Sequence, residues 1–184
     1  MLIIHASDIH CDKFLMEKIL DLKYDALCIS GDLLDEPSRM AIDTQIKTFK
    51  KFFKELKKPI LICSGNHDLD AKWIKDIKRV HCDDIKDVKK LKFGCVPFGC
   101  KDFAKYKKCD ILITHVPPFG SVCAFDLNNC KDLGDKFLTN ALGEGIVKPK
   151  FILCGHIHNP KERYEKFLGV EILNSSCNVY DICV

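Results

Sequence analysis

The chain has 184 residues, 47% of them hydrophobic and 30% charged, a balance typical of folded rather than disordered proteins. Its 29 Lys+Arg against 26 Asp+Glu leave a formal net charge of +3, so charge alone marks out no nucleic-acid-binding surface. No apolar run reaches the ~20 residues of a membrane span, and Met1-Leu2-Ile3-Ile4 is interrupted by His5 and Asp8 too soon for a signal-peptide core. The expectation is one soluble, cytoplasmic domain over 1–184 with no membrane partner. Oligomeric state is not legible.

Short apolar runs alternate with amphipathic stretches along the chain. Ile3–Ser7 reads as a buried strand, followed by a short helix carrying Leu15, Ile19 and Leu22. Asp25–Ser30 reads as the next strand. Ile42, Ile46, Phe49, Phe53 and Leu56 then recur at helical spacing with lysines on the opposite face, and Pro59 closes that helical region. Pro59–Ser64, Leu91–Val96, Asp110–His115 and Phe151–Gly155 read as further strands. The early strand–helix order predicts parallel pairing through right-handed crossovers. Arg163–Phe167, Val170–Leu173 and Val179–Val184 follow one another across short turns, which predicts antiparallel pairing among them. The fold class is α/β, a mixed sandwich.

Twelve cysteines raise the question of disulfides or zinc, but there is no CxxC. Cys28, Cys63, Cys95 and Cys154 lie inside apolar runs and read as small buried hydrophobes. Disulfides among the others stay open. His5 reads as a packed core histidine, and the lysine-rich stretches 47–58 and 101–108 as solvated faces.

The chemistry-bearing residues follow the strands. After the first comes Asp8-Ile9-His10, after the second Gly31-Asp32-Leu33-Leu34-Asp35, after the third Gly65-Asn66-His67-Asp68. The Asp110–His115 run ends in Thr114-His115-Val116-Pro117-Pro118, and the Phe151–Gly155 run in Gly155-His156-Ile157-His158. Five of the seven histidines fall in these segments, and in such sheets ligands gather at the carboxyl ends of strands. Mixed carboxylate, amide and imidazole donors suit Mn²⁺, Fe or Zn²⁺ better than Ca²⁺. In an extended segment Asp8 and His10 would point the same way, and so would His156 and His158. So many ligands exceed the needs of one ion, whereas two ions about 3.5–4 Å apart would use them all. At this level His67 reads as ligand, catalyst or loop histidine, Asp35 as a site residue or a solvated carboxylate, and Asp68 as a surface or supporting residue.

This ordered set of DxH, GDxxD, GNHD, a lone histidine and GHxH resembles the calcineurin-like metallophosphoesterases across about 150 residues. The resemblance implies a four-layer α/β/β/α sandwich with two stacked mixed sheets and a dinuclear site. Asp8, His10, Asp32 and His158 would hold one ion, and Asp32, Asn66, His115 and His156 the other, with Asp32 bridging. His67 would stand near the leaving group, oriented by Asp35. The cofactors expected are two divalent transition-metal ions, Mn²⁺ foremost, with Fe, Zn²⁺ or Ni²⁺ as alternatives. The stretch from Thr114 to His158, with Ile172-Leu173-Asn174-Ser175-Ser176-Cys177, resembles a small subgroup with cyclic-nucleotide phosphodiesterase-like members. One departure stands out. Protein phosphatases of the family carry Asp-Arg-Gly where this chain has Asp35-Glu36-Pro37, so the phosphate-clamping arginine is missing there.

The expected activity is hydrolysis of a phosphodiester in a small, nucleotide-derived substrate, by water activated between two cations. The alternatives are a phosphomonoesterase or nuclease of the same family, or a non-catalytic interaction scaffold. Nucleic acid is the less favoured partner, and the scaffold is disfavoured because no ligand position is lost.

Overall fold

A computed structural model of the chain describes residues 1–75 and 77–184. Among the described residues, thirteen strands and four α-helices follow one another. They begin with β1 (Leu2–Ser7), α1 (Lys13–Asp21), β2 (Ala26–Ser30), α2 (Ile42–Glu55), β3 (Ile60–Cys63), α3 (Lys72–Lys75) and β4 (Val80–Cys82). Next come β5 (Ile85–Val88), β6 (Leu91–Cys95), β7 (Ile111–Ile113), the hairpin β8 (Phe125–Asp126) and β9 (Lys131–Asp132), and α4 (Lys136–Gly143). The chain closes with β10 (Phe151–Cys154), β11 (Tyr164–Phe167), β12 (Val170–Asn174) and β13 (Asn178–Cys183).

Two large mixed sheets result. One has the order β13-β1-β2-β3-β4 and the other β11-β12-β10-β7-β6-β5. In the first, β1 to β4 run parallel and β13 is antiparallel to β1; in the second, β6, β7, β10 and β12 are parallel and both edge strands antiparallel. The period-two alternation of the strands sorts their side chains. Ile3, Cys28, Leu61 and Cys63 of the first sheet pack with Phe93, Ile111, Ile113 and Leu153 of the second, forming the layer between them. The opposite side chains of the first sheet, among them Ile4, Leu27, Ile29 and Ile62, pack against α1 and α2. Leu112, Ile152 and Ile172 do the same on the far side of the second sheet, against Leu138 and Leu142 of α4.

The helices form where capping and patterning agree. The Asp12 carboxylate accepts from the N–H of Phe14 and Leu15 at the start of α1, and Leu15, Met16 and Ile19 form its buried face. The amphipathic stretch at 42–56 is α2, with Phe49 and Phe53 inward. Six elements lie outside the predicted set: α3, β4, β5, β8, β9 and α4. The strands are too short to show an alternation. Helix α4 does carry a signal, Asp135 as N-cap before Leu138, Ala141 and Leu142 at helical spacing, but over barely two turns.

The last predicted strands pair differently from expectation. β11 and β12 are antiparallel neighbours, but β13 leaves that sheet and joins β1. A turn at Ser175-Ser176-Cys177, with Cys177 at φ 55, carries the chain across, and Ser176 bridges Ser7. All twelve cysteines are free thiols. Cys28, Cys63, Cys95 and Cys154 are fully buried, as expected, and burial pushes their thiols well above the usual range.

Candidate metal centre

The parallel strands of both sheets point their carboxyl ends at one place. There Asp8, His10 and His158 bring one ligand atom each within 4.8 Å of the others, and Asp32, His115 and His156 form a second such group. Asp32 Oδ2 lies 3.3 Å from His115 Nε2 and 3.9 Å from His10 Nε2, so this carboxylate faces both groups. Asn66 Oδ1 stands 2.9 Å from His115 Nε2. All seven residues that the motifs single out as ligands thus meet in one cluster.

Their backbones do not have the expected extended form. Asp8, His10, Asp32 and His156 have φ of 51, 44, 52 and 68, all in the left-handed region that non-glycine residues rarely adopt. Asp8 and His10 converge through a tight turn, not through the alternation of a strand. His156 and His158 part company: the left-handed turn at His156 sends His158 to the Asp8 group while His156 joins Asp32. Two glycines permit the close approach. Gly31 has φ +87, and a Cβ there would stand 2.6 Å from His115 Nδ1; a Cβ on Gly155 would stand 1.8 Å from Ser7 Oγ.

Hydrogen bonds aim the ligand atoms. Asp8 Oδ2 accepts from Ser7 Oγ (2.6 Å), Ser176 Oγ (2.7 Å) and the His156 N–H (3.0 Å), leaving Oδ1 to face His158 Nε2 at 3.1 Å. His10 Nδ1 donates to the Leu34 carbonyl (2.8 Å) and His115 Nδ1 to the Ser30 carbonyl (2.7 Å). Each ring therefore turns an unprotonated Nε2 toward the cluster when neutral, as metal-binding imidazoles do.

The donor set fits a divalent cation. His115 Nε2 faces Asn66 Oδ1 at 2.9 Å, His156 Nδ1 at 3.1 Å and Asp32 Oδ2 at 3.3 Å. A single proton on Nε2 serves one of those acceptors, whereas one cation with bonds of about 2.0–2.2 Å serves every donor. Electrostatics agree. Burial works against the charge on Asp8, but hydrogen bonds from His158, Ser7 and Ser176 and the charge of His115 hold its carboxyl well below the usual range. The hydrogen bond to Asp8 pushes His158 up to about 10, while burial and the neighbouring His115 bring His156 down to about 4, a neutral nitrogen donor.

The remaining singled-out residues lie around this cluster. His67 Nε2 is 4.0 Å from Asp32 Oδ2, and its buried Nδ1 has no hydrogen-bond partner. The carboxylate beside that nitrogen is Glu36, with Oε2 at 3.4 Å. Asp35 is anchored through its backbone to Gln45, and among the described residues its carboxylate forms no ion pair with a histidine. Asp68 is fully buried and not a surface residue. It accepts the backbone N–H groups of Asp32, Leu33, Leu34 and Gly65, tying the GDxxD loop to the GNHD loop. Sequence reading assigns no role at the cluster to Ser7, Ser176 or Glu36, and the last two reach it through folding. His5, buried between Ser30 Oγ and Ser175 Oγ, is the packed histidine expected.

Residues 1–160 match the family model of calcineurin-like phosphoesterases, and the chain belongs to that family. The family defines a class of phosphoric-ester hydrolases that use divalent metal ions, in keeping with the two ligand groups. Among curated proteins, a subunit of the nuclease SbcCD from Staphylococcus epidermidis is 31% identical over 129 residues, covering 54% of this chain and 34% of the relative. The chain thus spans about a third of that relative's length. A solved structure of a protein of unknown function from Aquifex aeolicus aligns over 98% of this chain and 95% of its own, at 16% identity and a TM-score of 0.49. No helix among the described residues is long and apolar enough to cross a membrane.

Proposed function

We propose that the chain hydrolyses phosphodiesters in small, nucleotide-derived substrates. Asp8, His10 and His158 hold one ion, and Asn66, His115 and His156 the other, with Asp32 shared; Mn²⁺ is the favoured metal. Bound in pairs, such cations supply Lewis acidity at the phosphoryl oxygens and lower the pKa of water. His67, beside Asp32 and outside both ligand groups, donates a proton or hydrogen bond to the departing oxygen. Glu36, with Oε2 3.4 Å from Nδ1, is the carboxylate placed to orient the ring.

The observation that carries the diester reading is the charge of the groove above Asp32. It encloses about 310 Å³ and is lined by His67, His156 and His158 together with Asp126, Asn128 and Leu133, and no lysine or arginine is among its lining residues. Arg163 is the nearest guanidinium in sequence to the GHxH motif. It donates instead to the carbonyls of Ser176 (3.0 Å) and His158 (3.1 Å). A monoester dianion gains from a bidentate guanidinium, whereas a diester monoanion is matched by the metals alone. With equal Mn²⁺ loading at neutral pH, bis(p-nitrophenyl) phosphate should therefore be turned over with higher kcat/KM than p-nitrophenyl phosphate. Preference for the monoester overturns the reading.

A nuclease is the second reading, favoured by the Staphylococcus epidermidis relative. Mn²⁺-dependent nicking of a plasmid at rates matching the small diesters would select it. For His67, replacement by Gln should lower kcat by about 10²–10⁴-fold while metal content stays near two per chain. Loss of a whole ion in that variant would make His67 a ligand.

A further inference from the structure

The hairpin β8–β9 brings to the groove residues that belong to none of the five motifs. Its position is fixed against the segment that follows His158: Leu127 N–H donates to the Asn159 carbonyl, Lys161 N–H to the Phe125 carbonyl, and Asp126 bridges Pro160. Between its strands, Asn128 and Asn129 line the same groove as Asp32 and His67, and so does Leu133 just beyond β9. Asp126 is buried and holds the tip by accepting the Asn128 N–H at 3.1 Å and the Asn129 Nδ2 amide.

That last contact decides what Asn129 offers. An ionised carboxylate accepts hydrogen bonds and has none to give, so Asn129 must present Nδ2 to Asp126 and its Oδ1 elsewhere. Among the described residues Oδ1 has no protein partner. Asn129 is exposed, and Leu133 is 41% exposed, a large fraction for a leucine lining a polar groove. The wall facing the metal cluster thus combines an unpaired acceptor with apolar surface, and no cation.

We infer that Asn129 and Leu133 form a subsite for the second ester arm of the substrate, an uncharged group of nucleoside type. An additional phosphate would meet Asp126 and an amide oxygen without a compensating charge. A nucleoside offers what the wall lacks, hydroxyl or amino donors for Oδ1 and a flat apolar face for Leu133. The inference rests on the phosphodiesterase reading, but its test does not depend on turnover.

The test compares binding of thymidine 5′-phosphate with inorganic phosphate, by calorimetry on the Mn²⁺-loaded protein. The wild type should bind the nucleotide about tenfold or more tighter, and Asn129→Leu should lose most of that preference, as expected for a lost hydrogen bond with added burial of an unmatched donor. Leu133→Ala leaves the Asp126 network intact and should reduce the preference several-fold, about one lost apolar contact. It decides the matter if Asn129→Leu fails to fold. Equal binding of the two ligands by the wild type, or a preference that survives Leu133→Ala, overturns the subsite. The nitrophenyl esters report on the parent reading separately: monoester preference with nucleotide selectivity intact would remove the diesterase and leave the subsite supported.

Discussion

Asp32→Asn should strip metal and activity together, with kcat/KM down by about 100-fold or more. The substitution is nearly isosteric and keeps an oxygen for the His67 N–H, which Asp32 Oδ1 accepts at 2.9 Å. What changes is the other side. Oδ2, which faces His115 Nε2 at 3.3 Å and His10 Nε2 at 3.9 Å, becomes an amide that directs two protons at the place a cation would take. Because this carboxylate faces both ligand groups, its loss weakens both ions, whereas loss of His10 or His156 weakens one. Metal analysis of the purified variant, beside His10→Ala and His156→Ala, measures the difference. If Asp32→Asn retains about two ions, the shared role assigned to Asp32 is wrong.

The largest effect on stability is expected at Asp68. Its carboxylate accepts from Leu33 N (2.7 Å), Asp32 N (2.9 Å), Gly65 N (2.9 Å) and Leu34 N (3.3 Å), all in the interior. Asp68→Ala leaves those donors without a partner where water does not reach, at a cost of about 1–3 kcal/mol each before relaxation. A loss of about 3–5 kcal/mol overall is expected, enough to unfold many domains of this size. Asp68→Asn should fall between, since one oxygen remains for Leu33 and Leu34 while the amide meets the N–H groups of Asp32 and Gly65. Thermal denaturation orders the three proteins. A melting temperature of Asp68→Ala within a few degrees of wild type would show that the loops satisfy these donors another way.

The contrast between Asp32 and Asp68 shows what a sequence reading can reach. Asp32 announces itself through the glycine before it and the strand before that. Asp68 has the same neighbours as a solvated turn carboxylate, and its burial depends on two loops 36 residues apart closing over it. Glu36 and Asp35 show the same limit. Which of two adjacent carboxylates reaches His67 depends on a turn whose backbone is held by Gln45 of α2.

The alternation of apolar runs with helical spacing was enough to specify an α/β chain with parallel strands, because side-chain periodicity is a local property of the backbone. The convergence of the candidate ligand positions was legible for a related reason: each lies within a few residues of a strand's carboxyl end, and parallel strands bring those ends together. Tertiary structure decided the rest. It separated His156 from His158 through one left-handed residue, sent β13 to pair with β1 instead of β12, and turned short segments into α3, β4, β5, β8, β9 and α4. It also brought Ser7, Ser176, Asp68 and the β8–β9 hairpin to the cluster. Those placements depend on contacts between residues far apart in the chain, made when the two sheets pack face to face, and such contacts leave no periodic trace in the sequence around any one of them.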